Sequence, residues 1–497
     1  MIEQLPILNM LIFLLMALII PLFKKRSFNV TTNLGLGVLA IVIISSGVLL
    51  YHVHTAGSFY YQFGQYNRFI GIEFLIDPFS AIFAFFIVFL VTIIYVYSTG
   101  DATEGVAEKE YGRYYILLFI LLFAMFGIIY TNDLFNIYVF MEILSITTVS
   151  IISIKRKKEN YTASFRYVML NEVGSLSYLF GVALLYMVTG YTNIELVFES
   201  IQGNFAAYPA NILTAIVFMI IGIGIKAAIF PFHVWLPDAH STAPSSSSAI
   251  LSAIVVKVYI LILIKVLFRV FGIEILNSVY MPTILMIVAS TGMIMGSIFA
   301  IAQKDIKRML GYSSVAQIGY ILLGISMVSV LGLQAAFFHI MSHGFMKAAL
   351  FLSVGAVIYK QKIRKVKDFD GVGYQMPISM FVFSLAALGM IGIPLTTGFI
   401  SKLNLGLAAL DINQVILIGV LVASGFLNAL YYLPIMIQAF LRDNKASVRT
   451  MRIEKIPKTM VFSIVFLGLL IVGFGLFPSL ALELFYKAAE AVMVVMV

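Results

Sequence analysis

The stretch that decides the fold is GIGIKAAIFPFHVWLPDAH, residues 222–240. Pro231 removes a backbone donor and clashes with the preceding turn, and Gly222 and Gly224 add slack, so a helix through this stretch is interrupted. Interrupted helices at membrane depth are tolerated where they line a polar cavity. Lys226 comes just before the interruption, and we expect freed backbone carbonyls there to solvate its ammonium group.

The surrounding chain is strongly apolar. Of its 497 residues, 61% are hydrophobic and 11% are charged, and the mean hydropathy is +1.03. A soluble protein carries about 25% charged residues, so a soluble globular fold is excluded. The composition predicts an all-α polytopic membrane protein, in which each helix that spans the bilayer needs about 20 apolar residues.

Apolar runs separated by turn or charged residues predict about fourteen transmembrane helices. Their approximate limits are 5–23, 32–51, 74–97, 114–130, 134–154, 163–188, 211–240, 245–270, 279–302, 306–328, 332–359, 377–405, 414–440 and 461–477. The loops after odd-numbered helices hold 24 of the 32 lysines and arginines, and the opposite loops and the termini hold only Arg68, Arg269 and Lys487. Basic loops stay on the cytoplasmic side, so we expect both termini on the non-cytoplasmic side of a prokaryotic plasma membrane.

We single out seven charged residues inside the predicted spans as candidates for charges within the membrane. They are Glu142, Glu172, Lys226, Lys257, Lys265, Lys347 and Lys402. A charge at mid-bilayer costs at least about 2.5–3.5 kcal/mol and by default marks an ion or proton path. We expect Lys257 near the middle of the membrane, whereas Lys265, close to Arg269, is expected to snorkel toward a surface.

The two acidic residues and the histidines on the eleventh helix leave alternatives open. Glu142 is expected either to bias a neighbouring lysine by its charge or to pair with it structurally, and Glu172 to be a second relay group or a packing-level hydrogen bonder. His339, His343 and Lys347 follow one another at i+4 spacing on one helix face. Because no third ligand accompanies the two histidines, we predict no metal site there; a proton ladder and plain packing remain the two interpretations.

A second interrupted span, Gly389–Ser401, precedes Lys402, which comes 176 residues after Lys226. Two interrupted helices in corresponding positions indicate a transporter-like repeat. An odd number of helices per half would make two five-helix repeats inverted with respect to each other. The predicted division is helices 1–3 over 1–110, a first repeat over 111–271, a second repeat over 272–441, and helix 14 with the tail over 442–497.

At these residues the sequence resembles the antiporter-like subunits of Mrp-type Na⁺/H⁺ antiporters, respiratory complex I and membrane-bound hydrogenases. Its most specific part is Lys226 to Lys257, with PFHVWLPDAH and the following APSSSS run, supported by DIKRMLGYSS at 305–314 and by 339–351. The resemblance implies a fourteen-helix core with two inverted repeats and a polar axis at the membrane midplane.

The resemblance also implies roles for individual residues. It implies proton transfer by Glu142, Lys226, Lys257, His343 and Lys402. From the residues themselves we add His339 to the proton-transfer candidates, and Glu172, His233 and Lys347 as possible relay groups. Lysine at position 402 resembles the D-type chain of the Mrp antiporters and its hydrogenase counterparts. Glu172 lies outside the family pattern.

We therefore expect a proton-translocating, D-like subunit of a multisubunit cation/proton antiporter. The chain has no cysteine, so any electron transfer occurs in another chain, and we expect no cofactor. Expected partners are other integral membrane subunits, including homologous antiporter-like ones, with protons and, as an open question, sodium; no nucleic-acid-binding patch stands apart from the basic loops. The alternatives are a pumping subunit of a hydrogenase or complex I-like redox complex, a scaffold that does not transport, and a self-sufficient carrier.

Overall fold

A computed structural model of the chain describes residues 2–23, 28–65, 68–69, 71–101, 105–441 and 454–493. Within these ranges the protein is 85% helical, with 19 helices and one two-stranded hairpin. Part of the basic-residue asymmetry lies outside the described residues, namely Lys24, Lys25, Arg26, Arg442, Lys445, Arg449 and Arg452.

The elements follow one another in four groups. The N-terminal group contains α1 (Leu5–Ile19), α2 (Phe28–Ala56), β1 (Phe59–Gln62), β2 (Glu73–Ile76) and α3 (Pro78–Asp101). The group called the first half contains α4 (Tyr111–Tyr130), α5 (Leu134–Ser153), α6 (Lys158–Thr189), α7 (Ile194–Asn204), α8 (Pro209–Lys226), α9 (Trp235–Thr242) and α10 (Ser245–Ser278). The second half contains α11 (Met281–Ile301), α12 (Ile306–Ser326), α13 (Val330–Gln361), α14 (Val372–Gln375), α15 (Pro377–Ile391), α16 (Thr397–Asp411) and α17 (Ile416–Leu441), and α18 (Lys458–Leu476) and α19 (Ser479–Met493) complete the chain.

The predicted transmembrane architecture is confirmed. Thirteen helices of the described chain are long and apolar enough to cross a membrane. The remaining predicted helix, the twelfth, over 377–405, corresponds to the shorter helices α15 and α16. Each of the fourteen predicted helices therefore has a counterpart, and the protein is an integral, all-α polytopic membrane protein.

Both predicted interruptions are present. The helix α8 ends at Lys226, and α9 begins at Trp235 after a short irregular segment that contains Pro231. In the second half, α15 ends at Ile391 and α16 begins at Thr397. The residue after α15 is Gly392, with φ of 101°; a residue with a Cβ is strained in this conformation, which explains glycine there.

The hairpin, the helices α7 and α19 and the short helix α14 were not predicted. The hairpin pairs β1 with β2 in antiparallel register, with Phe59 opposite Ile76. The helix α7 begins after Asn193, whose side chain accepts hydrogen bonds from the next backbone amides and so caps the helix. The helix α19 is amphipathic and packs on α3 and α13, where Phe485 contacts Phe83 and Phe337.

The centre of the bundle is formed by α10 and α13. Every residue in the most apolar window of each of these helices is buried, which is the pattern of helices surrounded by protein on all sides. The hydrogen bonding of α10 widens to the π pattern over Leu251–Val255 and again over Lys265–Phe271. The charged residues Lys257, Lys265, Arg269 and Lys347 of these two helices are therefore buried in protein, whereas Glu274 and Lys360, near the helix ends, are exposed.

Candidate functional site

Glu142 and Lys226 form an ion pair between α5 and α8. The Nζ atom of Lys226 lies 3.3 Å from Oε1 of Glu142 and donates to Oγ of Ser145 at 2.6 Å. The Ser175 hydroxyl of α6 donates to the same carboxylate. The lysine side chain is fully buried, whereas that of Glu142 is 20% exposed. The amine thus meets its counter-charge at the edge of the bundle.

Close backbone contact between α6 and α8 places this pair. A Cβ atom added to Gly222 would lie 2.5 Å from the carbonyl oxygen of Gly174, so glycine is required at the crossing. The expectation that freed carbonyls solvate Lys226 is wrong, because its ammonium is held by Glu142 and Ser145. The indole Nε1 of Trp235 donates to the freed carbonyl of Ile225 instead, at 2.9 Å.

Lys257 lies in the buried part of α10. Its side chain is 2% exposed, and its Nζ donates to the backbone carbonyl of Ser252. That carbonyl lies in the π segment Leu251–Val255, where the usual helical bonding is altered and can leave a carbonyl for a side chain. The Ser252 and Ser314 hydroxyls share a hydrogen bond of 2.8 Å, which joins α10 to α12.

Three titratable residues of α13, His339, His343 and Lys347, are fully buried. Nζ of Lys347 donates to the carbonyl of Leu310 at 2.7 Å and to the Ser313 hydroxyl of α12. The rings of His339 and His343 are nearly parallel, at 10°, with centroids 6.1 Å apart. Within the described part of the chain neither ring nitrogen of His343 has a hydrogen-bond partner, so this imidazole can accept or donate a proton.

Lys402 belongs to α16, and its side chain contacts the end of α15 across the second interruption. Its Nζ donates to the carbonyls of Met390 and Ile391, at 2.7 and 3.0 Å, and lies 4.7 Å from the ring centroid of Tyr320. These are the last carbonyls of a helix, which attract cations. The His339 ring stacks on Tyr320 at 5.4 Å, so the aromatic ring connects the lysine to the histidine.

The candidate proton-transfer residues fall into two groups: the Glu142–Lys226 pair, and a second group around His339 and His343 on α13. His339 is close enough to interact electrostatically with Lys402 and Lys257, and His343 with Lys257 and Lys347. Lys226 is joined to this group less directly, since its Nζ lies 5.7 Å from the ring centroid of Tyr259 on α10. The hydroxyl groups of Tyr259 and Ser145 are 3.2 Å apart and provide the polar connection.

Two of the relay candidates lie apart from the main groups. Glu172 is partly buried on α6 and interacts with Lys226 electrostatically. His233 is stacked between Phe230 and Phe299, at 5.3 and 5.7 Å. The contacts of His233 favour a packing role.

Sequence analysis missed His240, the last residue of the PFHVWLPDAH motif. Its side chain is fully buried on α9, and neither ring nitrogen has a hydrogen-bond partner among the residues that the structure describes. The ring contacts that of Phe351 at 5.0 Å and lies within electrostatic range of Lys347, Lys307 and Lys257. The only available signal was its presence in the motif, beside Asp238.

Two expectations about basic residues are wrong. Lys265 does not snorkel: it is 2% exposed, and its Nζ donates to the carbonyls of Ile128, Ile129 and Thr131 at the end of α4, at 3.0, 2.6 and 2.9 Å. Arg269 is not a loop residue, because it is buried in α10 and forms an ion pair with Asp77. Both side chains thus tie α10 to neighbouring segments.

The arrangement is suited to moving protons and shows no group of metal ligands. The described ranges contain no cluster of three or more histidine, aspartate or glutamate residues that could hold a metal ion. Buried amines and imidazoles exchange protons through short hydrogen-bonded steps. A polytopic bundle that buries such groups beside two broken helices belongs to the class of ion-transport membrane proteins.

The comparison with protein families gives a specific assignment. The family described as "NADH:quinone oxidoreductase/Mrp antiporter, TM" matches residues 131–428, so the match includes both interruptions and all the candidate residues. The chain belongs to this family of antiporter-like membrane subunits. The resemblance found in the sequence motifs is thereby confirmed.

Individual relatives come from both branches of the family. The N subunit of NADH-quinone oxidoreductase from Desulforudis audaxviator is 35% identical over 491 residues, which cover 95% of this chain and 96% of the relative. The D-type chain of the Na⁺/H⁺ antiporter from Alkalihalophilus pseudofirmus is 28% identical over 444 residues, 89% of this chain and 88% of the relative.

Solved structures agree with the fold. A chain of the membrane-bound sulfane sulfur reductase, an archaeal respiratory membrane complex, superposes with a TM-score of 0.89 at 25% identity, over 99% of this chain and 98% of that chain. A chain of the Mrp complex from Dietzia sp. superposes with a TM-score of 0.88 at 23% identity, over 99% and 97%. Both neighbours are subunits of membrane complexes.

Proposed function

We propose that this protein is the proton-translocating, D-like subunit of a multisubunit cation/proton antiporter, in which protons move along the Glu/Lys/His axis at mid-membrane. The observation that carries the proposal is the ion pair of the buried Lys226 with Glu142, at 3.3 Å. It is supported by the buried residues Lys257 and His343 deeper in the bundle. A relative in the same family is the D subunit of a Na⁺/H⁺ antiporter, which supports a role in ion transport.

In the proposed mechanism the pair acts as a switch. When Glu142 lies beside Lys226, the carboxylate favours the charged form of the amine. When the two separate, burial favours the neutral form, and Lys226 releases its proton. The Ser145 hydroxyl contacts Nζ of Lys226 on one side and the Tyr259 hydroxyl on the other, so it offers the released proton a first acceptor.

The proton then crosses into the second half. Lys257 on α10 receives it and interacts with His343 and Lys347 of α13. From His343 the parallel ring of His339 leads toward Lys402. Lys402 exchanges the proton at the far end, where it lines a cavity of about 420 Å³ beside Gly392 and Phe399.

Assembly and orientation form part of the same proposal. We infer that the chain operates beside homologous antiporter-like subunits in a prokaryotic plasma membrane, with both termini on the non-cytoplasmic side. The support is the distribution of basic loops and the membrane complexes that contain its structural neighbours. The two halves are proposed to be inverted five-helix repeats within the divisions 1–110, 111–271, 272–441 and 442–497. Passage of sodium through this chain is left open.

A second candidate is a proton- or sodium-pumping subunit of a redox complex. The relative at 35% identity is an N subunit of NADH-quinone oxidoreductase, and the sulfane sulfur reductase chain is 25% identical. Purification of the native complex and identification of its other subunits distinguishes the two candidates. Partners that carry iron–sulfur clusters would favour the redox complex, and their absence from an active antiporter would favour the Mrp type.

The proposed function is tested by Lys226→Ala in the assembled complex, with proton uptake into vesicles as the measurement. We expect proton transport to be abolished while the complex still assembles. The matched control is Lys487→Ala, which removes a half-exposed lysine paired with Glu483 at the surface and should transport normally. Wild-type transport by a Lys226→Ala/Lys402→Ala double variant would instead support a non-transporting scaffold, and transport by the purified single chain would support a self-sufficient carrier.

A further inference from the structure

A polar-rimmed pocket opens between the start of α4 and the end of α5. It has a volume of about 410 Å³, and its lining includes Glu110, Arg113, Ile116, Leu117, Ile154 and Arg156. Arg156 lies beyond the end of α5 at Ser153, which comes 11 residues after Glu142, a separation of about 16 Å along the helix. The pocket is therefore distinct from the row of buried lysines.

Two arginines at the mouth of this pocket are held by one carboxylate. Nη1 of Arg113 lies 2.7 Å from one oxygen of Glu110, and Nη2 of Arg156 lies 3.0 Å from the other. The Glu110 side chain is 3% exposed, whereas those of the arginines are 57% and 51% exposed. Each guanidinium has five N–H donors, so donors beyond the one facing Glu110 remain available at the opening.

The backbone also directs Arg156 to this place. Its φ is 55°, in the left-handed region that residues other than glycine rarely adopt. The residue follows the last turn of α5, and its amide donates to the carbonyl of Ser153 at 2.9 Å. Two positive charges and one buried negative charge leave the mouth with a net positive charge, and Lys157 and Lys158 are exposed beside it.

The inner walls of the pocket are apolar and belong to membrane-spanning helices. Ile116 and Leu117 of α4 and Ile154 after α5 form these walls. A ligand that fits must combine an anionic group for the arginines with a hydrocarbon portion for the walls. Basic pockets between transmembrane helices at the membrane border bind anionic lipid headgroups in this way, because guanidinium groups form paired hydrogen bonds with phosphate oxygens.

We propose that this pocket binds an anionic glycerophospholipid, with the phosphate at Arg113 and Arg156 and an acyl chain against Ile116 and Leu117. Glu110 is a positioning residue that holds both guanidinium groups at the mouth. Because α5 carries both Glu142 and part of the pocket wall, the bound lipid also fixes the end of the helix opposite the ion pair.

The test uses the assembled complex and a photo-activatable phosphatidylglycerol. We expect cross-links on peptides that contain residues 110–117 and 150–161, and at least about tenfold fewer in Arg113→Gln/Arg156→Gln. The matched control is Arg166→Gln, which removes a half-exposed arginine that lies 2.7 Å from Asp238 and should leave the pocket cross-links unchanged. Unchanged labelling in the double variant overturns the proposal.

Measurements on the wild-type complex decide the matter even if the double variant does not assemble. Excess unlabelled phosphatidylglycerol should compete for the pocket, whereas phosphatidylcholine should not. Equal competition by the two lipids overturns the requirement for an anionic headgroup. Displacement by inorganic phosphate alone would show a site for free anions, and pocket peptides that no lipid labels would show that a partner subunit covers this surface; either result also overturns the proposal.

Discussion

The two broken helices hold their lysines in different surroundings. Lys226 meets a carboxylate at 3.3 Å and a hydroxyl at 2.6 Å. Lys402 meets the carbonyls of Met390 and Ile391, at 2.7 and 3.0 Å, and the ring of Tyr320. Among the described residues no carboxylate lies within ion-pair distance of Lys402. Both halves thus contain a broken helix with a lysine beside it, but the two lysines have different binding partners.

This difference suggests different roles for the two lysines. The counter-charge of Lys226 lies on a separate helix, so a small displacement of α5 relative to α8 can change the ion-pair distance. The acceptors of Lys402 are neutral backbone carbonyls at the end of α15, which a short segment joins to α16, the helix of Lys402, so no counter-charge is present that could be withdrawn. We therefore infer that the first half contains the switch, and that Lys402 is a fixed terminal group that exchanges the protons delivered to it along the axis.

The largest expected effect tests the acidic partner. Glu142→Gln removes the charge and leaves Lys226 buried without a counter-ion, which costs about 3–5 kcal/mol in a fully buried pair. Because Glu142 is 20% exposed, we expect a smaller cost, but still a loss of at least about tenfold in proton transport. The measurement is proton uptake by vesicles that contain the assembled complex.

The control for this prediction is a surface ion pair of similar length. Glu483→Gln removes the partner of Lys487, at 3.6 Å on α19, and transport should be unchanged because exposed pairs contribute little. Glu172→Gln gives a sharper comparison, since Glu172 is partly buried and acts on Lys226 through its charge. A larger loss in Glu172→Gln than in Glu142→Gln would contradict the assignment of the switch.

The second prediction concerns the helix contacts that create the two sites. In Gly222→Ala the new methyl group would lie 2.5 Å from the carbonyl of Gly174, and in Gly398→Ala 2.0 Å from that of Gly389. Overpacking of this kind costs about 1–3 kcal/mol, so the thermal unfolding midpoint of the complex should fall in both variants. Gly419→Ala is the matched control, because no described atom lies within 4 Å of the place that its new methyl group would take; an unchanged midpoint in Gly222→Ala would refute the close-contact argument.

Much of the architecture could be predicted because its signals are local. Apolar runs set the spans, and Pro231 and Gly392 explain the interruptions through backbone chemistry alone. Lys226 and Lys402 could be singled out because a charge inside an apolar run is visible in any window of sequence. The unpredicted helix α7 also had a local signal in Asn193, which caps it.

The partners of the buried charges could not be predicted, because they come from distant parts of the chain. Lys265 caps α4 at Thr131, 134 residues away, and Arg269 pairs with Asp77, 192 residues away. A snorkelling lysine and a buried capping lysine have the same sequence signature near the end of a helix. His240 was missed for a related reason, since only packing shows that its ring is buried beside α12 and α13.

The smallest expected effect compares single hydroxyl groups in the two halves. Ser145 contacts the amine of Lys226 at 2.6 Å, and Ser401 contacts Nδ1 of His339 at 2.9 Å. Hydrogen bonds to charged groups contribute about 1.5–3 kcal/mol and neutral ones about 1 kcal/mol, so Ser145→Ala should slow transport by a larger factor than Ser401→Ala. Thr214→Ala, which removes an exposed hydroxyl bonded within its own helix, should have no effect in the same vesicle assay. An equal or larger loss in Ser401→Ala would mean that proton release is limited in the second half, and the switch could not then be assigned to the first.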